Sequence, residues 1–141
     1  MLVLLDTHVL VWTLEGDVRR VGRRARALLG RAESRDAVRV SPVSLFELAA
    51  LHTLGRIRLR LSLEAWVADA FARGRLRLSE LTRAMAIEAG GIRREALPDP
   101  LDRMLVATAR RTEATFLTGD RRIIDYAASA GAGLRVQDVG R

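Results

Sequence analysis

The chain opens on Leu2-Val3-Leu4-Leu5, uniformly apolar and ending at Asp6, which is the pattern of a strand buried on both faces of a parallel sheet. Ala37 to Val40, Leu76 to Leu81, Thr115 to Thr118 and Leu134 to Val136 are further short runs that predict strands. Between them, apolar residues recur at helical spacing. One helix is expected from about Thr7. Val18 to Arg31 sets Val21, Ala25, Leu28 and Leu29 among arginines, predicting an amphipathic helix with a basic outer face. Ser41-Pro42 has the form of an N-cap with proline at the first helical position, so a helix should run through Leu45, Leu48, Ala49 and Leu51 to a stop at Gly55. Arg56 to Leu61 alternates strictly, as extended chain with three arginines on one face would.

Ser62 should cap a helix through Ala65, Trp66, Ala68 and Phe71, and Thr82 another carrying Met85, Ala86 and Ala89 as far as Gly90-Gly91. Asp99-Pro100 opens a helix with Leu101, Met104, Leu105 and Thr108 on its inner side. A last helix is expected from Arg121 to about Ser129, followed by a glycine turn. Strands that alternate with helices in this way predict an α/β sandwich around a mostly parallel sheet.

Composition narrows the chemistry. With 141 residues, 49% of them hydrophobic and 29% charged, the chain suits a single domain over 1–141 with one core and a solvated surface. Cysteine is absent and there are two scattered histidines, which excludes disulfides, thiolate zinc sites and histidine-rich metal sites. Any metal must therefore be bound by oxygen. The start has neither a basic leader nor a long apolar stretch, and no run approaches the ~20 apolar residues of a membrane span, so a cytoplasmic location without membrane association is expected. The net charge is +7 and every basic residue is arginine. Arginine's planar fork suits phosphate, although complete replacement of lysine points first to compositional bias.

Against that basic background, five acids stand where apolar runs pass into turns or helices: Asp6, Glu47, Asp99, Asp102 and Asp120. Each has a structural explanation when taken alone. Asp6, Asp99 and Asp120 precede expected helices as N-caps, Ser44-Leu45-Phe46-Glu47 matches a capping box, and Asp102 suits a helix's first turn. Together they mean more, because the carboxyl ends of parallel strands line the edge at which α/β sheets bind ligands. Asp6 and Asp120 fall at that edge, Asp99 and Asp102 share a helix face, and Glu47 can reach the same edge from its helix. Carboxylates converging there repel one another unless a hard divalent cation such as Mg²⁺ lies between them. Such a site with a basic surround suits a nucleic-acid backbone as substrate.

Other groups carry less. His8 and His52 have no partner at a ligand spacing and are assigned no role. Trp12, Trp66 and Phe71 lack the basic interleaving of a base-stacking surface and are expected in the core or an interface. Arg19-Arg20, Arg23-Arg24 and Arg56/Arg58/Arg60 are expected as solvated faces, with phosphate contact as the alternative.

Met1 to Leu10, Ser41 to Glu47, Asp99 to Ala109 and Phe116 to Asp120 resemble, in that order, the PIN-domain ribonucleases, and most closely the VapC-type toxins of bacterial type II toxin-antitoxin pairs. The resemblance spans nearly the whole chain. It implies a PIN-like three-layer sandwich, an endoribonuclease dependent on Mg²⁺ or Mn²⁺, an RNA substrate, a cognate antitoxin and a homodimer. Carried over, it makes Asp6 and Asp102 the principal metal ligands, has Glu47 and Asp120 complete a catalytic quartet, and makes Asp99 auxiliary. Thr118 matches a small hydroxyl residue that orients the last turn. Arg103 follows the third acid as in many of these toxins, to pair with an acid or touch phosphate. One departure is Leu97-Pro98, where close relatives often carry histidine and arginine.

Rival readings differ in what they predict. A PIN-like RNA-processing nuclease would have no antitoxin. A haloacid dehalogenase-type phosphatase needs an aspartate where His8 stands. A non-catalytic basic nucleic-acid binding module would use the acids only as caps.

Overall fold

The computed structural model describes residues 1–73 and 75–141. Among these, β1 (Val3–Leu5), β2 (Val38–Val40), β3 (Leu76–Leu78), β4 (Thr115–Thr118) and β5 (Arg135–Asp138) form one sheet in the order β3-β2-β1-β4-β5. Every adjacent pair is parallel. The helices are α1 (Thr7–Leu14), α2 (Arg23–Ser34), α3 (Pro42–Thr53), α4 (Leu63–Arg73), α5 (Arg83–Gly91), α6 (Pro100–Thr112) and α7 (Arg121–Ala127).

Alternation along the strands divides the core in two. Val3 and Leu5 of β1 and Leu117 of β4 pack with Val9 and Leu10 of α1, Leu28 and Leu29 of α2 and Trp66 of α4. Leu4 and Phe116, pointing the other way, pack with Leu105 and Val106 of α6 and Ile123 of α7. The sheet is therefore covered on both faces, the three-layer α/β arrangement expected from its uniformly apolar strands.

Local caps explain most helix starts. Ser41 Oγ accepts from Val43 N–H at 3.0 Å, with Pro42 at the first helical position, and Thr82 Oγ1 accepts from Met85 N–H at 3.2 Å. α2 differs from the expected helix over Val18 to Arg31. Val18–Arg20 is a separate 3-10 turn, Val21 is extended, and the α-helix begins at Arg23. The cause lies far along the chain: Gly22 and Arg24 N–H donate to the carbonyls of Val139 and Arg141, both at 2.7 Å. A Cβ on Gly22 would lie 2.4 Å from the carbonyl carbon of Arg141.

The remaining differences concern register. β3 ends at Leu78 rather than Leu81, because β2 offers only Val38–Val40 for pairing. β5 covers Arg135–Asp138 rather than Leu134 to Val136, matched one for one to Thr115–Thr118. The segment from Arg56 to Leu59 is not a strand, though its alternation is real: Ile57 and Leu59 pack against the first core while Arg56, Arg58 and Arg60 are exposed. Arg60 is tied down, its Nε 2.5 Å from Glu15 Oε2 and its Nη2 3.0 Å from the carbonyl of Leu14. Among the described residues no helix is long and apolar enough to cross a membrane.

Candidate active site

In this strand order the chain reverses direction of travel between β1 and β4, the position where open parallel sheets form a ligand crevice. Asp6 follows β1 directly and Asp120 lies two residues beyond β4. Asp99 and Asp102 enter from the start of α6, and Glu47 from the second turn of α3. All five sequence-predicted acids line one cavity of about 260 Å³, together with His8, Val9, Trp12 and Gly119.

Three of these carboxylates do act as caps. Asp6 Oδ1 accepts from Thr7 N–H at 2.8 Å, Asp99 Oδ1 from Leu101 N–H at 2.9 Å and Asp120 Oδ1 from Arg122 N–H at 2.9 Å. Capping occupies one oxygen of each, so it does not compete with lining the cavity. The capping-box reading of Ser44 and Glu47 fails, because α3 is already capped by Ser41 and Ser44 is buried within the helix with its hydroxyl unpaired. Glu47 is held otherwise: buried Thr7 donates its hydroxyl to Glu47 Oε1 at 2.5 Å.

Thr118, also fully buried, holds two acids at once. Its hydroxyl donates to Asp6 Oδ2 at 2.5 Å and accepts from Asp120 N–H at 3.0 Å. Asp6 N–H in turn donates to the carbonyl of Leu117 at 3.0 Å. Both oxygens of Asp6 and its backbone are thus fixed, one oxygen by the start of α1 and the rest by β4.

The electrostatics are those of crowded acids. Burial pushes the Asp102 carboxyl up from 3.8 to about 7, with Asp99, Asp120, Asp6 and Glu47 adding repulsion. Burial also raises Asp6, against the hydrogen bonds from Thr118 and Thr7, which lower it. In a chain of net charge +7, none of the five acids forms an ion pair among the described residues. Arg103, half-buried beside Asp102, forms none either.

The model of the PIN-domain family matches residues 3–129. The chain belongs to the PIN-domain family. It is similar to ribonuclease VapC22 of Mycobacterium tuberculosis, with 31% identity over 121 residues that make up 86% of this chain and 88% of that protein. Among solved structures it resembles VapBC2 from Rickettsia felis, bound to a DNA fragment from its promoter, with a TM-score of 0.68 and 16% identity. It also resembles DNA-bound VapBC from Salmonella typhimurium, with a TM-score of 0.66 and 22% identity. Each superposition covers 98% of both chains.

In this PIN domain the donor set fits a hard divalent cation in its chemistry: oxygen ligands only, acids without counter-ions, and carboxyl groups whose mutual repulsion a cation would relieve. Among the described residues no three carboxylate or imidazole side chains converge closely enough to form a ligand group by themselves. Mg²⁺ commonly keeps several waters and takes one or two carboxylates, so partial ligation is compatible with this spacing.

Two cavity residues escape the sequence reading. His8 and Trp12 stand one helical turn apart on α1, their rings 5.9 Å apart. Trp12 packs against the first core, as expected, and also lines the cavity. The usable signal was their spacing: residues two and six positions after Asp6, on the helix it caps, share a face.

Proposed function

We propose that this PIN domain is a metal-dependent endoribonuclease and the toxin of a bacterial type II toxin-antitoxin pair, working in the cytoplasm. The observation that carries the catalytic part is five carboxylates around one cavity, none in an ion pair among the described residues, in an arginine-rich chain. Kinship with a ribonuclease at 31% identity supports RNA as substrate, and a toxin-antitoxin complex from Klebsiella pneumoniae with a similar fold, at a TM-score of 0.55 and 15% identity, supports the partner.

Asp6 and Asp102 are the principal proposed cation ligands, with Glu47, Asp120 and Asp99 supporting. A bound Mg²⁺ or Mn²⁺ would supply Lewis-acid charge to a phosphodiester oxygen and acidify water. Thr118 orients Asp6 and the Asp120 turn, and Thr7 orients Glu47, so buried hydroxyls set the directions of three of the four quartet members. Asp102, with its carboxyl at about 7, exchanges a proton near neutrality in the metal-free protein. Arg103 and the exposed arginines hold the RNA backbone. A second copy of the chain is the partner proposed for the exposed apolar side chains Phe46 and Leu54 at α3 and Ile87 on α5.

The test is cleavage of a cellular RNA pool by purified protein with Mg²⁺, with Mn²⁺ and with chelator, beside the Asp6→Asn, Asp102→Asn double variant. Discrete fragments that need metal and vanish in the variant are expected. Intact RNA in every condition, with RNA binding retained, would instead favour the non-catalytic binding module. Neutralisation of cleavage by the product of an adjacent small reading frame separates the toxin from an RNA-processing nuclease.

A further inference from the structure

Trp12 borders two cavities. One is the acid-lined cavity, and the other, of about 210 Å³, is lined by Trp12, Asp17, Val18, Val21, Arg26 and Glu33 among others. Trp12 is the residue common to both. The Arg20 guanidinium carbon lies 5.2 Å from the indole centroid, and Arg20 Nε is held by Asp17 Oδ2 at 3.0 Å. The indole's benzo edge lies about 4 Å from where a Cβ on Gly119 would stand, so the ring abuts the loop that carries Asp120. A half-buried indole lining the acidic cavity proposed to hold the cation, flanked by a guanidinium and an imidazole, combines the two elements that single-stranded nucleic-acid sites use, a π-face and a cation.

We infer that Trp12 is the platform on which the RNA base next to the scissile phosphate stacks, with Arg20 fixing the indole and offering charge to the neighbouring phosphate. This rests on the ribonuclease reading above. Trp12 touches neither carboxylate chemistry nor metal; it sets which nucleotide sits at the cut and how tightly. Stacking is tolerant of base identity, so the preference it imposes is for an unpaired base, strongest for purines because their larger rings overlap the indole more.

The experiment uses the full chain and short single-stranded oligoribonucleotides of each homopolymer sequence, with binding measured in chelator and cut sites mapped in Mg²⁺. Trp12→Leu should weaken binding roughly 5- to 150-fold, the range that one base–aromatic stack contributes. It should also flatten the base preference beside the cut, while Trp12→Phe keeps most of both. In a Trp66→Phe background the wild-type Trp12 fluorescence should be quenched on RNA binding, a readout that does not require the Trp12 variants to fold. Unchanged affinity and cut-site profile in folded Trp12→Leu, or unquenched fluorescence at saturating RNA, would overturn the assignment. Loss of antitoxin binding alone would overturn it too, since Trp12 would then serve a protein partner. If wild-type protein binds and is quenched but never cuts, base stacking on Trp12 stands while the nuclease reading, and with it the placement beside a cut, falls.

Discussion

Asp102→Asn should make the metal-free protein more stable, and should do so only above acid pH. Folded Asp102 keeps its proton up to about pH 7, whereas the unfolded chain releases it near 3.8. Between those values the folded state binds more protons, so stability falls as pH rises, and the whole penalty is present above 7. The interval from 3.8 to about 7, at about 1.4 kcal/mol per pH unit, corresponds to about 4 kcal/mol. Asp102 is partly exposed, and solvent screening reduces this to roughly 2 kcal/mol. Asparagine has nearly the same shape and no charge to bury. Urea denaturation in chelator should therefore show a midpoint about 1 M higher than wild type at pH 8, with little difference at pH 4. Adding Mg²⁺ should narrow the gap at pH 8 by stabilising wild type selectively. Equal midpoints at pH 8, or a gain at pH 4 as large as at pH 8, would refute the idea that crowded acids strain this cavity.

Thr118→Val keeps the shape of a buried side chain but removes the hydroxyl shared by Asp6 and Asp120. It should cost about 1–3 kcal/mol in denaturation and reduce cleavage well beyond what the stability loss explains. Gly22→Ala forces the backbone of Arg141 away and breaks the bond to Arg24 N–H, for a loss of about 1–3 kcal/mol in a thermal melt, with cleavage by the folded fraction unchanged.

Where a helix start depends on its own neighbours, the sequence was sufficient. Ser41, Thr82, Asp99 and Asp120 sit at their caps as read, because each cap bond spans two or three residues. The start of α2 was hidden because its partners are carbonyls more than a hundred residues away. The position of Asp6 and Asp120 on one acid-lined cavity was legible from the general rule that strand ends line the ligand edge. The threonine that fixes them was visible only as a likeness to the family. The place of Trp12 beside the acids was legible only as a shared face with His8 on the helix that Asp6 caps, since the cavity itself is assembled from α1, α3, the start of α6 and the loop after β4. Ser44 misled because a serine three residues before a glutamate looks the same whether or not a helix has already begun.

Thr118 and Asp6 are separated by 112 positions yet share one hydrogen bond, and that bond exists only when β4 has paired with β1. The residues that precede β4 already include Asp6, Glu47, Asp99 and Asp102, but not the hydroxyl that aims the first of them. During synthesis, the acidic cavity cannot acquire its shape before β4 is made, and the loop that this pairing closes carries an entropic cost that slows it. A ribosome-bound chain that has not yet emerged through β4 therefore lacks the hydroxyl that aims Asp6, and the acidic cavity takes its shape only with the closing of the sheet.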